Sequence, residues 1–317
     1  MLRVPLFLYT GLKHFTKGGY EQAAKHFDNS IMVQEASLRG KTCMVTGANQ
    51  GLGFQISLEL AKRGGSLYMV CRNEERGRAS VNKVKELTRN EDVHLVLCDI
   101  SSLQSIKNMC GEYVASGRPL HVLVNNAGVL IHDGSKSIDG YEINFATNTL
   151  GTYALTKGLE PVLKASSPSR VIMVSSGGAL TSGLEVDDLE SRTLKTKDGS
   201  DLYARDKRRQ IALAEYFAEH WAKDGVSCYS MHPGWVETEG VKSSIPGFYE
   251  KLKGKLRNLE QGADTAVWLS VCPEKDLESG EFYLDRHKAS KHLFWAGTKY
   301  SKDKVDTLVK KLDAYPL

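Results

Sequence analysis

The sequence lacks the cysteine and histidine patterns that mark disulfide-linked or zinc-binding proteins. Its six cysteines form no Cys-x-x-Cys pair, and most of them stand inside apolar runs. The nine histidines show no spacing typical of metal ligands, so we expect no metal site. Unpaired cysteines of this kind are typical of small buried side chains in a reducing, intracellular compartment.

The chain also lacks a strong excess of one charge. There are 42 basic and 38 acidic residues, and the basic ones are spread along the whole chain. A groove for nucleic-acid phosphates needs clustered basic residues and usually an isoelectric point above roughly 9. We therefore expect a small-molecule substrate and no nucleic acid as the partner.

The N-terminal segment, residues 1–20, contains no acidic residue, and its apolar stretch at 4–9 is short. That stretch is far below the roughly 20 residues that a membrane-spanning helix needs. Two interpretations stay open, a helix lying on a membrane surface and a helix docked on the domain. The predicted location is intracellular, either cytoplasmic or peripherally membrane-associated through residues 1–20.

From residue 41 onward, short apolar runs alternate with longer amphipathic stretches. The apolar runs are 41–46, 66–71, 93–98, 120–124, 170–175, 225–231 and 281–284. This alternation predicts an α/β, doubly wound fold with a seven-stranded parallel sheet covered by helices on both faces. We expect one domain over 39–285, an N-terminal appendage at 1–38 and a C-terminal extension at 286–317.

A glycine-rich loop, TGANQGLG at 46–53, directly follows the first predicted strand and opens the first predicted helix. Glycine lets the backbone turn tightly and approach a pyrophosphate closely. The N-terminus of the helix offers free N–H groups and a positive dipole end to an anion. The strand before and the helix after favour a dinucleotide site over a simple turn.

The spacing TGxxxGxG resembles the short-chain dehydrogenase/reductase family in its single-domain form, which has a Rossmann fold. Three more strings match in order: Asp99 after the third strand, NNAG at 125–128 after the fourth, and PGWVET at 233–238 after the sixth. The resemblance implies that Asp99 contacts the adenine and that Thr238 holds the nicotinamide carboxamide. The other implied cofactor-binding residues are Gly47, Asn49, Gln50, Gly51, Leu52, Gly53, Asn125, Ala127, Gly128, Pro233 and Gly234.

The second predicted strand is followed by Arg72, and no acid appears before Glu74. In such folds an acid near this point binds the ribose 2′-hydroxyl, whereas an arginine accommodates a 2′-phosphate. The sequence therefore favours NADP(H) as the cofactor, with NAD(H) as the alternative.

Tyr203 and Lys207 are four residues apart, which places both side chains on one face of a helix. Transfer of a hydride to carbon must be matched by transfer of a proton to oxygen. Free tyrosine titrates at about pH 10, and a neighbouring ammonium or oxidised nicotinamide lowers that pKa. The pair predicts Tyr203 as the general acid/base, and the resemblance implies that Lys207 also holds the nicotinamide ribose.

A hydroxyl beside the reacting oxygen completes such a site, and Ser175 and Ser176 end the fifth predicted strand. The resemblance favours Ser176 and keeps Ser175 in reserve. It also implies that Asn148, with Asn144 as a rival, holds a water linking Lys207 to solvent.

The chain departs from the family in two places. Charged Arg205 and Asp206 replace the usual small residues, so we expect an altered rim. The 27 positions between Ser176 and Tyr203 imply an inserted loop. This wide gap resembles the retinol-dehydrogenase-like subgroup, which acts on retinoids and other lipophilic alcohols.

The sequence thus predicts an NADP-dependent oxidoreductase that moves a hydride between nicotinamide and an alcohol/carbonyl carbon. Ile245, Phe248 and Tyr249 suggest an apolar lid and a lipophilic substrate. The alternative is an NADP(H)-binding sensor or scaffold with little turnover. Whether the chain forms a homo-oligomer stays open.

Overall fold

The computed structural model describes residues 3–28, 37–193, 198–293 and 296–317. Within these residues one sheet has the spatial order β3-β2-β1-β4-β5-β6-β7-β8. The strands are β1 (Thr42–Thr46), β2 (Ser66–Cys71), β3 (Val93–Leu97), β4 (Val122–Asn125), β5 (Ser169–Val174), β6 (Val226–Met231), β7 (Phe282–Leu284) and β8 (His287–Lys288). The first seven run parallel, so the predicted doubly wound parallel sheet is confirmed.

The short strand β8 pairs antiparallel with β7 and was not predicted. Asp285 and Arg286 connect the two strands, and both have positive φ, 51° and 59°. A two-residue hairpin turn needs this backbone shape, which usually selects asparagine or glycine. Asp-Arg carries no such signal, so the hairpin was missed.

Helices cover both faces of the sheet. The helices of the domain are α3 (Gly51–Lys62), α4 (Glu74–Thr88), α5 (Leu103–Ala115), α6 (Thr152–Gly158), α7 (Glu160–Ala165), α8 (Gly199–Trp221), α9 (Glu239–Ser244), α10 (Pro246–Leu252), α11 (Leu259–Val271) and α12 (Lys302–Leu312). One core contains Cys43 and Val45 together with α3, α4 and α11. The other contains Met44 together with α5, α6, α8 and α12. Successive residues of β1 thus point to opposite faces, as a strand requires.

The order of the strands reverses at β1, which lies between β2 and β4. Connections leave β1 and β4 in opposite directions, and this opens a crevice at their carboxyl ends. Thr46, the last residue of β1, holds the two edges together. Its hydroxyl oxygen accepts hydrogen bonds from the backbone N–H groups of Asn126 and Ala127, at 3.0 and 2.9 Å.

Two N-terminal helices, α1 (Arg3–His14) and α2 (Lys17–Ala24), pack on this end of the domain. A buried ion pair anchors them, since Arg257 Nη1 lies 2.5 Å from Asp285 Oδ1. The same guanidinium donates to the carbonyl oxygens of His14 and Phe15, at 2.7 and 3.1 Å. The inner face of α1 is therefore docked on the domain.

The turn between β1 and α3 can be formed only with glycine at two positions. Gly47 has a positive φ of 63°. A Cβ atom on Gly53 would lie 2.2 Å from the carbonyl oxygen of Gly47 and 2.5 Å from Asn126 Nδ2. No real Cβ atom tolerates such contacts, so α3 must start with its backbone against the turn.

We expect the Gly53→Ala substitution to lower the free energy of unfolding by about 1–3 kcal/mol, because the added methyl overpacks the turn. Gly111→Ala is the matched control, since a Cβ there meets nothing within 4 Å. It should raise the free energy of unfolding by about 0.5–1 kcal/mol, because alanine favours a helix interior. Urea unfolding measures both, and a Gly53→Ala midpoint equal to the parent's would contradict the geometry.

Candidate active site

A cleft of about 600 Å³ opens at the carboxyl ends of β1 and β4. Its wall contains most of the predicted cofactor-binding residues, namely Gly47, Asn49, Gln50, Gly51, Leu52, Gly53, Arg72, Asp99, Ala127, Gly128 and Thr238. Asn126, Ile100 and Glu237 also line it and were not predicted. The wall does not include the other predicted cofactor-binding residues, which are Asn125, Pro233, Gly234, Tyr203 and Lys207.

The N-terminus of α3 faces this cleft and fits a pyrophosphate. Its N-cap residue, Gln50, is extended and makes no side-chain capping hydrogen bond. The first N–H groups of a helix have no partner within the helix, so they can donate to an anion. Gly53 lets the first turn of the helix pack directly against Gly47 in this loop. These features fit a dinucleotide cofactor.

Arg72 and Asp99 stand together at the rim of the cleft. The Arg72 side chain is 70% exposed, and its Nη1 lies 4.0 Å from Asp99 Oδ2. Asp99 Oδ1 accepts hydrogen bonds from the N–H and the hydroxyl of Ser101, at 2.9 and 2.7 Å. An exposed ion pair at this distance is weak. The guanidinium can therefore turn to an anionic ligand.

Three residues of the predicted motifs support the site from behind. The Asn125 side chain is buried and donates from Nδ2 to the Thr156 hydroxyl at 3.0 Å, within the centre of the domain. Pro233 O accepts a hydrogen bond from Arg257 Nη1 at 3.4 Å, and Gly234 packs against the same guanidinium. Pro233 and Gly234 thus shape the turn that leads to Thr238.

Tyr203 lies in the first part of α8, and its hydroxyl is close enough to the side chain of Ser176, just after β5, for Ser176 to lower its pKa. Ser176 Oγ also accepts from the N–H of Gly178 at 3.1 Å. The neighbouring Ser175 is buried, and its hydroxyl donates to the carbonyl oxygen of Lys207 at 2.7 Å. Of the two serines, the geometry joins Ser176 to the tyrosine.

The predicted lowering of the Tyr203 pKa does not appear in the structure. Burial raises the pKa of Tyr203 to about 12, the hydrogen bond from Ser176 lowers it, and Asp206 raises it. Removal from water disfavours the phenolate more strongly than one hydrogen bond favours it. The tyrosine is therefore a neutral phenol at physiological pH.

Lys207 is only 3% exposed and lies directly behind the wall of the cleft. Its Nζ donates to the carbonyl oxygen of Val174 at 2.8 Å and to Gln210 Oε1 at 3.1 Å. A Cβ on Gly128 would lie 3.3 Å from this nitrogen. Burial lowers the pKa of Lys207 to about 8, against an opposing effect of Asp206. The ammonium is thus mostly charged at neutral pH.

Asn148 lies in a π-helical segment, Phe145–Gly151. Its Oδ1 accepts from the N–H of Val129 at 2.9 Å, and its Nδ2 donates to the Val129 carbonyl at 2.8 Å. Asn144 makes the same pair of bonds to Ile131. Both asparagines therefore clamp the loop after β4. Asn148, the residue predicted to hold a water, also accepts a hydrogen bond from Gln210 Nε2 with its backbone carbonyl oxygen, at 2.8 Å.

Asp206 was expected at the rim, and the structure corrects this. It is 1% exposed, because its position on α8 faces the core. Its Oδ1 accepts from the Thr149 hydroxyl at 2.6 Å and from Arg209 Nη1 at 3.0 Å. Arg209 in turn donates to the Leu189 carbonyl at 2.8 Å, which anchors the inserted loop.

His232 is a supporting residue that sequence reasoning set aside. It is buried, and its Nδ1 accepts a hydrogen bond from the N–H of Gly177 at 2.9 Å. Burial holds the pKa of His232 well below its usual value, so the ring is neutral. Phe15 packs edge-on against the ring, with centroids 4.4 Å apart. The sequence signal for His232 was its position directly before Pro233.

Comparison with known proteins gives the family. A family model described as short chain dehydrogenase matches residues 41–186. Dehydrogenase/reductase SDR family member 12 from Bos taurus is 40% identical over 96% of this chain and 94% of its own length. Retinol dehydrogenase 11 from Homo sapiens is 31% identical over 91% of this chain and 88% of its own.

Among solved structures, the RhlG/NADP active-site complex from Pseudomonas aeruginosa is similar with a TM-score of 0.63. It is 20% identical and the match covers 78% of this chain and 95% of that one. This likeness shows a shared fold. Together with the relatives, it establishes that the chain belongs to the short-chain dehydrogenase/reductase family of NAD(P)-dependent oxidoreductases.

Proposed function

We propose that this protein is an NADP-dependent carbonyl reductase or alcohol dehydrogenase in which Tyr203 is the general acid/base. The observation that carries the proposal is one arrangement of three side chains. The Ser176 side chain is close enough to the Tyr203 hydroxyl to lower its pKa, and the ammonium of Lys207 lies 5.4 Å from the centroid of the tyrosine ring. The Lys207 ammonium lies behind Gly128, a residue of the cleft wall.

The bound nicotinamide cofactor supplies or accepts the hydride at the substrate carbon. In the reductive direction, the Ser176 hydroxyl orients the carbonyl oxygen and Tyr203 transfers its proton to that oxygen. The neutral phenol expected at physiological pH suits this role as a donor. The charged Lys207 then stabilises the phenolate that remains. In the oxidative direction the same groups act in reverse, and the phenolate accepts the proton.

An apolar cluster beside Ser176 supports a lipophilic substrate. Phe15 and Leu180 are buried there, and Trp235 packs on Phe248 of α10 with ring centroids 5.1 Å apart. Leu180 belongs to the short 3-10 helix, Gly177–Thr181, that follows Ser176. Two of the three residues predicted to form a lid, Phe248 and Tyr249, pack against this cluster. A relative is named for retinol, itself a lipophilic alcohol.

One observation favours a binding protein with little turnover. Tyr203, Ser176 and Lys207 do not form part of the cleft wall in this structure. A protein that binds the cofactor in this cleft without transferring a hydride would serve as a sensor. The neighbourhood of Tyr203 and Ser176 and the buried ammonium beside the tyrosine ring favour the enzyme.

We also propose that α1 contacts a membrane surface. Its outer face carries Val4, Leu8, Tyr9 and Leu12, which are between 42% and 68% exposed. Lys13 and His14 lie in the last turn of the helix, and the first turn contains no acidic residue. Such a helix suits the interface with anionic lipid. Among the described residues, no helix is both long enough and apolar enough to cross a bilayer.

The Tyr203→Phe substitution should lower kcat/KM for carbonyl reduction by about 10²–10⁴-fold, because the proton donor is lost. The dissociation constant for NADPH should stay within about twofold, since the phenol ring remains. A panel of aldehydes and ketones of increasing chain length, followed by NADPH absorbance, provides the measurement. Tyr216→Phe, on the same helix, is the control and should keep parental activity. Equal activity of Tyr203→Phe and the parent would rule out the assignment.

Arg72→Asp should lower the ratio of kcat/KM with NADP(H) to that with NAD(H) by about tenfold or more. The aspartate repels the 2′-phosphate and accepts a hydrogen bond from a 2′-hydroxyl. Lys107→Asp makes the same change of charge on an exposed position of α5 and should leave the ratio unchanged. An unchanged ratio in Arg72→Asp would remove this residue from cofactor selection.

The double substitution Leu8→Ser and Leu12→Ser should weaken binding to vesicles of mixed neutral and anionic lipid by at least about tenfold. Each leucine loses a large part of the roughly 1.5–3 kcal/mol that burial of its side chain provides. Flotation of the protein with vesicles measures the effect. The control, Leu87→Ser with Ile138→Ser, removes two other exposed apolar side chains. A parent that does not float would contradict the proposed contact.

A further inference from the structure

The side chain of Gln210 links two parts of the active site that lie far apart in the sequence. Gln210 is fully buried on α8, one turn beyond Lys207. Its Oε1 accepts from Lys207 Nζ at 3.1 Å, and its Nε2 donates to the Asn148 carbonyl oxygen at 2.8 Å. The carboxamide therefore spans from the ammonium to the π-helical segment.

Only one orientation of this carboxamide satisfies both neighbours. Lysine can only donate hydrogen bonds and a backbone carbonyl can only accept them. The reversed amide would place an NH₂ group against the ammonium and one oxygen against another. Burial leaves no water to relieve such contacts, and an unsatisfied buried polar group costs about 1–3 kcal/mol. The two neighbours thus fix the amide, and the amide fixes the distance between them.

The two acceptors leave the charge of Lys207 uncompensated. An ammonium has three donors, and neutral oxygens of Val174 and Gln210 take two of them. The nitrogen lies next to the position of Gly128, which lines the cleft, so the third donor can reach a ligand there. A glutamate at position 210 would neutralise this charge, and an apolar side chain would leave it unsupported.

The groups that face Lys207 come from several elements. Tyr203 and Asp206 lie on its own helix, and the Val174 carbonyl comes from the end of β5. The Asn148 side chain comes from the π-helical segment: a Cβ on Gly128 would lie 3.2 Å from Asn148 Oδ1 and 3.3 Å from Lys207 Nζ. Asp206 is compensated by Arg209, at 3.0 Å. Gln210 is the side chain of this group whose charge and hydrogen-bonding capacity can be changed separately from the catalytic residues.

We propose that Gln210 is a positioning residue that holds the Lys207 ammonium, charged and correctly placed, between Tyr203 and the nucleotide cleft. This inference rests on the proposed function for the roles of Tyr203 and Lys207. It assigns to a side-chain amide the link between Lys207 and Asn148 for which a bound water was predicted.

The test measures NADPH binding by fluorescence between pH 7 and pH 10, which needs no turnover. In the parent, the plot of the dissociation constant against pH should bend upward near the Lys207 pKa of about 8, where the ammonium is lost. Gln210→Met removes the acceptor, disfavours the ammonium and should move this bend to lower pH by about one unit. Gln210→Glu adds a negative charge, favours the ammonium and should move the bend to higher pH by about one unit.

The opposite directions of the two shifts separate positioning from simple packing, which would give no shift or the same shift in both variants. Either of those outcomes overturns the proposal, as does a bend that persists in Lys207→Met. Gln55→Met makes the same chemical change at a buried position of α3 and should bind like the parent. If thermal unfolding shows that Gln210→Met is not folded, the direction of the shift in Gln210→Glu tests the proposal by itself.

The outcome is also distinct from that of the proposed function. Opposite shifts in a chain that reduces no carbonyl would remove the enzymatic role while confirming how Gln210 holds Lys207. Activity that depends on Tyr203, together with no shift in the pH dependence of NADPH binding, would support the enzymatic role and overturn the proposal for Gln210.

Discussion

The burial of one ammonium group constrains the whole active site. Lys207 loses most of its hydration, and a charge in that position is tolerated only when its donors are met by fixed oxygens. Those oxygens come from Val174 at the end of β5 and from Gln210 on α8. A shift of the helix along the strand by one residue would leave the charge unpaired. The register of α8 against β5, and with it the meeting of Tyr203 and Ser176, follows from this requirement.

The parallel sheet brings the remaining parts to the same edge. Every parallel strand ends on one side of the sheet, so the loops after β1, β4 and β5 gather there. Thr46 ties the loop after β4 to the end of β1, and Asn148 clamps the same loop through Val129. The nucleotide cleft and the group formed by Ser176, Tyr203 and Lys207 are consequently neighbours, although most of their sequence motifs are far apart. Side chains of α1 and α10 pack together around Phe15 and Trp235.

Features set by local sequence could be predicted, and features set by distant contacts could not. The seven parallel strands followed from apolar runs, and the turn at Gly47 from its glycines. The pairing of Tyr203 with Lys207 followed from helical periodicity alone. The burial of Asp206 depends on Thr149 and Arg209, so this charged residue near Tyr203 was wrongly assigned to the rim. The direction in which the Tyr203 pKa shifts depends on how deeply the phenol is buried.

Gln210 shows the same limit most clearly, since its role exists only because a π-helical carbonyl and a buried ammonium lie on either side of it. The central claim is that these groups serve hydride transfer and not binding alone. Incubation with NADPH deuterated at C4 and a reducible carbonyl, followed by mass spectrometry of the alcohol, tests it most directly. The account predicts one deuterium on the product carbon. Tight NADPH binding without deuterium in any product would contradict it.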